Sequence, residues 1–149
     1  MSDQAETSLR VAMKAAIFNE KSQLLILQVS KNHYNESARE KWDLPGGKIK
    51  ADEPFMNGFR REILEETGLK NFEIIRPFSV QEWWPMIKGT KTHIVATFFI
   101  CKVKSDVNIR LSENEHDNFV WITTDEIDNY DFQIPGREVA YAAFAETQK

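Results

Sequence analysis

The chain has 149 residues, 42% of them hydrophobic and 28% charged, with 19 Lys and Arg against 23 Asp and Glu. That composition is globular and excludes a disordered or collagen-like chain; the length predicts one domain over 1–149, burying roughly 70% of the surface an unfolded chain exposes. A net charge of -4 argues against a sequence-independent grip on duplex nucleic acid, yet leaves room for a phosphorylated ligand if a divalent cation lies between the two negative partners.

The single cysteine, Cys101, excludes an internal disulfide and suits a reducing compartment. The longest apolar stretch, around Ile94–Cys101, is far short of the ~20 residues that span a bilayer. The opening MSDQAETSLR has neither a basic nor an apolar leader region. The expectation is a cytoplasmic protein with no membrane partner.

Residues 1–8 are polar and are expected to fray. Leu9–Phe18 and Gln23–Val29 are apolar and β-favouring, split by the turn-like Asn19–Ser22, and predict a hairpin. Residues 30–41 are polar and aperiodic, which predicts a surface loop. In WDLPGG, Trp42–Gly47, the glycines predict a sharp turn or a close backbone approach. Pro54 suits the first turn of a helix over Phe55–Thr67, and Gly68 suits its left-handed end. Strands are predicted at Phe72–Val80, Thr92–Val103 and Asn118–Ile122. Thr124 is expected to cap a short helix over Asp125–Tyr130, and a last helix is expected over Gly136–Glu146. Strands and helices that do not strictly alternate predict an α+β chain, a mixed sheet sandwiched between helices.

On the 55–67 helix, Glu62, Glu65 and Glu66 fall within about a third of a turn and border the apolar stripe of Met56, Phe59 and Ile63. Arg61 lies one turn before Glu65 and can pair with it. Two carboxylates ~5 Å apart repel by about 3 kcal/mol at an effective dielectric of 20, and by under about 1 kcal/mol in water. A solvated acidic face is therefore cheap, whereas a cluster beside a cleft raises a pKa or recruits a cation. Periodicity alone leaves both readings open.

The residues around that helix decide between them. GKIKADEPFMNGFRREILEETGL, Gly47–Leu69, matches the Nudix box G-x5-E-x7-R-E-U-x-E-E-x-G-U (U aliphatic) at every specified position. Chance gives such a match at odds on the order of 10⁻⁹ per starting position. The chain thus resembles the Nudix hydrolases, and the lead-in Trp42–Gly46 resembles theirs too.

The resemblance implies a mixed sheet between helices and Mg²⁺- or Mn²⁺-dependent hydrolysis of a diphosphate joining a nucleoside to a further group. It implies carboxylate ligation of the metal by Glu62, Glu65 and Glu66, completed in many relatives by Glu53 and the Gly47 carbonyl. Arg61 would hold the glutamates by salt bridges. Gly58 and Phe59 depart from the small alanines common there, and Gly58 costs about 1 kcal/mol of helix stability relative to Ala.

The general base in that family often comes from a later loop. SENEHD, Ser112–Asp117, makes Glu115 the first candidate, with Glu113, Glu82 and His116 competing. Trp83, Trp84 and Pro85 stand where a base or ribose could stack, and Pro85 follows Leu69 at a spacing resembling ADP-ribose-hydrolysing members. Arg39, with Tyr34 and Lys41, is a candidate for substrate contact from the 30–41 loop. The expected partner is a small nucleotide, first ADP-ribose or a nucleotide sugar. A nucleoside triphosphate pyrophosphohydrolase of the MutT kind is the alternative, and a non-catalytic nucleotide sensor is the reading from another class. Homodimers are frequent in the family, and no feature here demands one.

Overall fold

The computed structural model describes residues 7–149. Most of the fraying expected at 1–8 therefore lies outside the described residues, and Ser8 already belongs to a strand. Eight strands are present: β1 (Ser8–Phe18), β2 (Leu24–Val29), β3 (Trp42–Asp43), β4 (Gly46–Lys48), β5 (Glu73–Trp83), β6 (Met86–Ile87), β7 (Thr90–Lys102) and β8 (His116–Ile122). Two α-helices, α1 (Phe55–Thr67) and α2 (Gly136–Glu146), and two 3₁₀ turns (Glu36–Ala38 and Thr124–Asn129) complete the described chain.

The long central pairing is parallel, β1 with β7 from Ser8↔Thr92 to Phe18↔Lys102. β5 runs antiparallel to β7 and β2 antiparallel to both β1 and β8, so the sheet is mixed, as expected. β1 and β2 meet at Phe18↔Leu24, where the Asn19 side chain accepts the Lys21 and Gln23 amides at 3.0 Å each and closes the turn. At the other end of β1 the place beside it is taken by β4, through Ala12↔Lys48, Met13↔Gly47 and Lys14↔Gly46.

Strand alternation splits the apolar residues into two cores. Ala12, Ala16, Ile94, Ala96, Phe98 and Ile100 pack with Val139, Ala140, Ala143 and Phe144 of α2. Met13, Ala15, Ile17, Phe99 and Cys101 pack with Phe59 and Ile63 of α1. This is the sheet-between-helices arrangement, and Cys101 is a buried core thiol.

Helix α1 begins after Pro54, which sits at the N-cap with an extended ψ of 139°, and ends at Gly68, whose φ of 76° is left-handed. Phe59 and Ile63 are both 0% exposed, and burying each contributes about 1.5–3 kcal/mol. A rotation by one residue would expose both, so the core fixes which way the adjoining glutamates point.

Two expectations are corrected. The short helix after β8 is a 3₁₀ helix over Thr124–Asn129, one residue earlier than the expected Asp125–Tyr130. Its cap is Thr123, whose N–H donates to Glu126 Oε1 at 2.8 Å, rather than Thr124. The short strands β3, β4 and β6 were not anticipated. Among the described residues no helix is long and apolar enough to cross a membrane.

Candidate functional site

A cavity of about 590 Å³ opens where β1, β4, α1, the 30–41 loop and the segments leading out of β5 and into β8 converge. Its acidic side is built by the glycine turn and α1. Gly46 has a φ of 133°, and a Cβ there would strike the backbone of Met13 and Lys14. The close approach lets the Gly46 N–H donate to Glu66 Oε1 at 2.8 Å, while the Ala15 N–H donates to the Pro45 carbonyl at 2.8 Å. A Cβ on Gly47 would collide with the Glu62 carboxylate. The two glycines of WDLPGG are thus the seats of two glutamates.

Arg61 organises the rest. Its Nε and Nη2 donate to the two Glu53 oxygens at 3.1 and 2.7 Å, and its Nη1 donates to Glu62 at 3.0 Å and to both Glu65 oxygens at 3.3 Å. The Lys48 carbonyl accepts from Nη2 at 3.3 Å, which ties the fork to β4. A planar guanidinium can serve several acceptors at fixed angles, which an ammonium cannot. Gly58 has its reason here. A Cβ at that position would lie 2.6 Å from Glu53 Oε1, so the helix gives up propensity to let Glu53 reach Arg61.

The carboxylates differ in environment. The hydrogen bond from Arg61, helped by the Lys50 N–H, holds the Glu53 carboxyl down at about 2. Glu62 is raised, because burial outweighs its bond to Arg61. Burial pushes Glu66 up to about 8, against the opposing Gly46 N–H and the Lys14 charge. Glu65 is the open member, its side chain 56% exposed.

Glu62, Glu65 and Glu66 line the cavity together with Gly47. Among the described residues no three His, Cys, Asp or Glu side chains are gathered closely enough to hold a metal ion by themselves. The donors are nonetheless all hard oxygens, and two are carboxylates whose desolvation a cation would relieve. An open set of this kind suits Mg²⁺, which keeps waters and shares its shell with substrate phosphates. Glu62, Glu65, Glu66 and the Gly47 carbonyl could hold such an ion, with Glu53 reaching it only through Arg61.

Other candidates divide. Trp83, Pro85 and Glu115 line the cavity. Glu115 lies 3.4 Å from His33 Nε2. Trp84 does not line it: the side chain is turned outward, 51% exposed, and its ring stacks on His93 at 4.6 Å. Nor does Arg39, whose Nε donates to the His33 carbonyl at 2.6 Å and braces the loop instead. Glu82 is engaged with His93 at 2.8 Å, and Glu113 stays outside the lining.

Of the candidates on the 30–41 loop Tyr34 does line the cavity, and sequence reasoning missed its companions on that inner face, His33, Asn35 and the buried Ala38. It also missed the Lys14–Asp43 ion pair at 2.6 Å, with Asp43 Oδ1 accepting the Leu44 N–H at 2.8 Å. A lysine inside the apolar run of β1 was the available signal.

Comparison with known proteins agrees with this geometry. The NUDIX domain family model matches residues 8–144. A MutT-like protein of Streptomyces ambofaciens is 36% identical over 86 residues, 58% of this chain; the chain spans 50% of that relative's length. An 8-oxo-dGTP diphosphatase of Buchnera aphidicola is 26% identical over 127 residues, covering 84% of this chain and 86% of that protein. The crystal structure of a MutT protein from Methanosarcina mazei Go1 superposes with a TM-score of 0.78 at 26% identity, over 98% of this chain and 99% of that one.

Proposed function

The chain belongs to the Nudix family, and from that premise we propose that it hydrolyses, with Mg²⁺ or Mn²⁺, a diphosphate linking a nucleoside to a further group. The observation that carries this reading is convergence: the Glu62, Glu65 and Glu66 carboxylates open into the same cavity as Trp83 and Pro85. One end of that space suits charged phosphates and the other suits a flat ring. A bound divalent cation neutralises phosphoryl charge and eases deprotonation of water.

The protein's own residues do the rest. Glu62 and Glu66, held by Arg61 and by the Gly46 N–H, present fixed oxygens, so little reorganisation accompanies binding. Glu115 accepts the proton of the attacking water. Its neighbour His33 accepts the Asn35 N–H on Nδ1 at 3.1 Å, so the ring proton sits on Nε2 and faces Glu115. Trp83 supplies an apolar wall for the base or ribose.

The first substrate class is ADP-ribose or a nucleotide sugar, supported by Trp83 and Pro85 in the cavity wall. A nucleoside triphosphate, releasing pyrophosphate, is the second reading, favoured by the relatives that carry MutT and 8-oxo-dGTP diphosphatase names. A panel of both classes, assayed with Mg²⁺ in ¹⁸O water with products weighed by mass spectrometry, identifies the bond and the phosphorus attacked. Tight nucleotide binding with no turnover in that panel would instead make the protein a sensor. Cytoplasmic residence and a homodimer are further proposals, read by cell fractionation and by light scattering.

A further inference from the structure

His116 opens β8 and stands apart from every other polar side chain near the cavity. Only 8% of its surface is exposed, yet it is part of the cavity lining. Among the described residues its Nδ1 is the one buried side-chain nitrogen or oxygen without a hydrogen-bond partner. Native interiors rarely leave such a group unmatched, because the desolvation is uncompensated. A histidine serving only to fill space would be better replaced by an apolar residue of the same volume. The ring's cost therefore points to a use.

The chemistry of the ring says which atom is used. Burial first, then the neighbouring Lys14 and His33, pushes its pKa down to about 4, so the imidazole is neutral near pH 7 with a single N–H. A sealed N–H donor is tolerated less readily than a sealed lone pair. The proton therefore resides on Nε2, and the sealed Nδ1 keeps only its lone pair. That leaves a neutral donor on the wall of the cavity, on a ring that no hydrogen bond within the protein already engages.

We propose that His116 is a substrate-contacting residue whose Nε2–H donates a hydrogen bond to an oxygen of the nucleotide held in the cavity. The assignment rests on the nucleotide-hydrolase reading above and deepens it, since it makes His116 a determinant of which nucleotides are held. A neutral donor can donate to a carbonyl or sugar–phosphate oxygen without adding charge to the site.

The test compares His116→Met, His116→Gln and His116→Asn with the parent, using ADP-ribose, dGTP and dTTP with Mg²⁺. Met fills the space without a donor, and Gln places its amide nitrogen where Nε2 stood. Asn places its amide nitrogen where Nδ1 stood. The Met variant is expected to raise KM about 10-fold with kcat within about twofold, and its melting temperature should hold or rise. Gln should recover most of the lost affinity and Asn should not. A penalty shared by all three nucleotides puts the acceptor in the sugar–phosphate part; one confined to a single base puts it on that base.

Unchanged KM in the Met variant, or equal behaviour of Gln and Asn, overturns the assignment. So does an imidazole ¹⁵N spectrum of the free protein with the proton on Nδ1. If the parent turns over none of the three nucleotides, the hydrolase reading fails by itself. Calorimetric affinities of metal-free parent and variants for the same nucleotides then decide His116 separately: a loss confined to Met and Asn supports the contact, and no loss or no binding ends it.

Discussion

Replacing Gly58 by Ala sets helix stability against site geometry. Removing a glycine from a helix interior favours the folded state by about 1 kcal/mol, which for a domain of this size raises the melting temperature by roughly 2–4 °C. The new Cβ would lie 2.6 Å from Glu53 Oε1, 2.9 Å from its carboxyl carbon and 3.0 Å from Ile49 Cδ1. Those distances are too short to persist, but the obstacle is the end of a flexible side chain that can swing toward solvent. The clash is therefore relieved by expelling Glu53 rather than by distorting α1, and stability should stay level or rise by up to about 1 kcal/mol. Arg61 then loses its 2.7 and 3.1 Å bonds and lets Glu62 and Glu65 drift. Residues that orient ligating groups typically contribute 10–100-fold, so kcat/KM should fall by about that factor. Thermal melts and turnover at saturating Mg²⁺, measured on the same preparation, read both halves. A fully active Gly58→Ala variant would refute the idea that the glycine is kept to seat Glu53.

Glu66→Gln should keep its carbonyl on the Gly46 N–H and leave the fold intact, while losing at least about 100-fold in turnover; near-parental rates with Mg²⁺ would contradict its role. Arg61→Lys cannot reproduce the fork to three carboxylates and should lower kcat/KM about 10–100-fold, with a rising Mg²⁺ requirement that activity titrations read. Trp83→Ala should raise KM several-fold while leaving Mg²⁺ dependence alone; an unchanged KM would remove it from the base or ribose wall. In metal-free solution stability should fall as pH rises from 6.5 to 8.5. The folded Glu66 carboxyl, at about 8 against an ordinary 4.5, retains a proton that the unfolded chain has already lost. His116, lowered to about 4, affects stability only below its ordinary 6.5 and leaves that window clear. Melting curves in EDTA should show the decline, and Glu66→Gln should flatten it.

Helix α1 was legible to the residue because Pro54 and Gly68 punctuate it and the box fixes its contents. The long strands were legible through their apolar runs. What escaped were features whose signal is carried by distant partners. β3, β4 and β6 have two or three residues each and exist only through pairing, as with Leu27↔Asp43 and Met13↔Gly47. On the inner face of the 30–41 loop Tyr34 was legible, whereas His33 and Asn35 were hidden because a polar residue reads the same whether it meets solvent or substrate. Trp83 and Trp84 are alike in sequence, and only their placement at the end of β5 sends one into the cavity and the other out against His93. Gly58 looked like a flaw in the helix until Glu53 was seen beside it. Lys14 is charged but mostly buried, and its partner Asp43 lies 29 residues away.

The central claim is that Glu62, Glu65 and Glu66 grip a divalent cation at the mouth of the nucleotide cavity. Electron paramagnetic resonance of Mn²⁺, titrated into the parent and into each single Glu→Gln variant, measures that grip without relying on turnover. Saturable binding by the parent, weakened about 10-fold or more by each substitution, is the predicted result. Equal Mn²⁺ affinity in parent and variants would contradict the account.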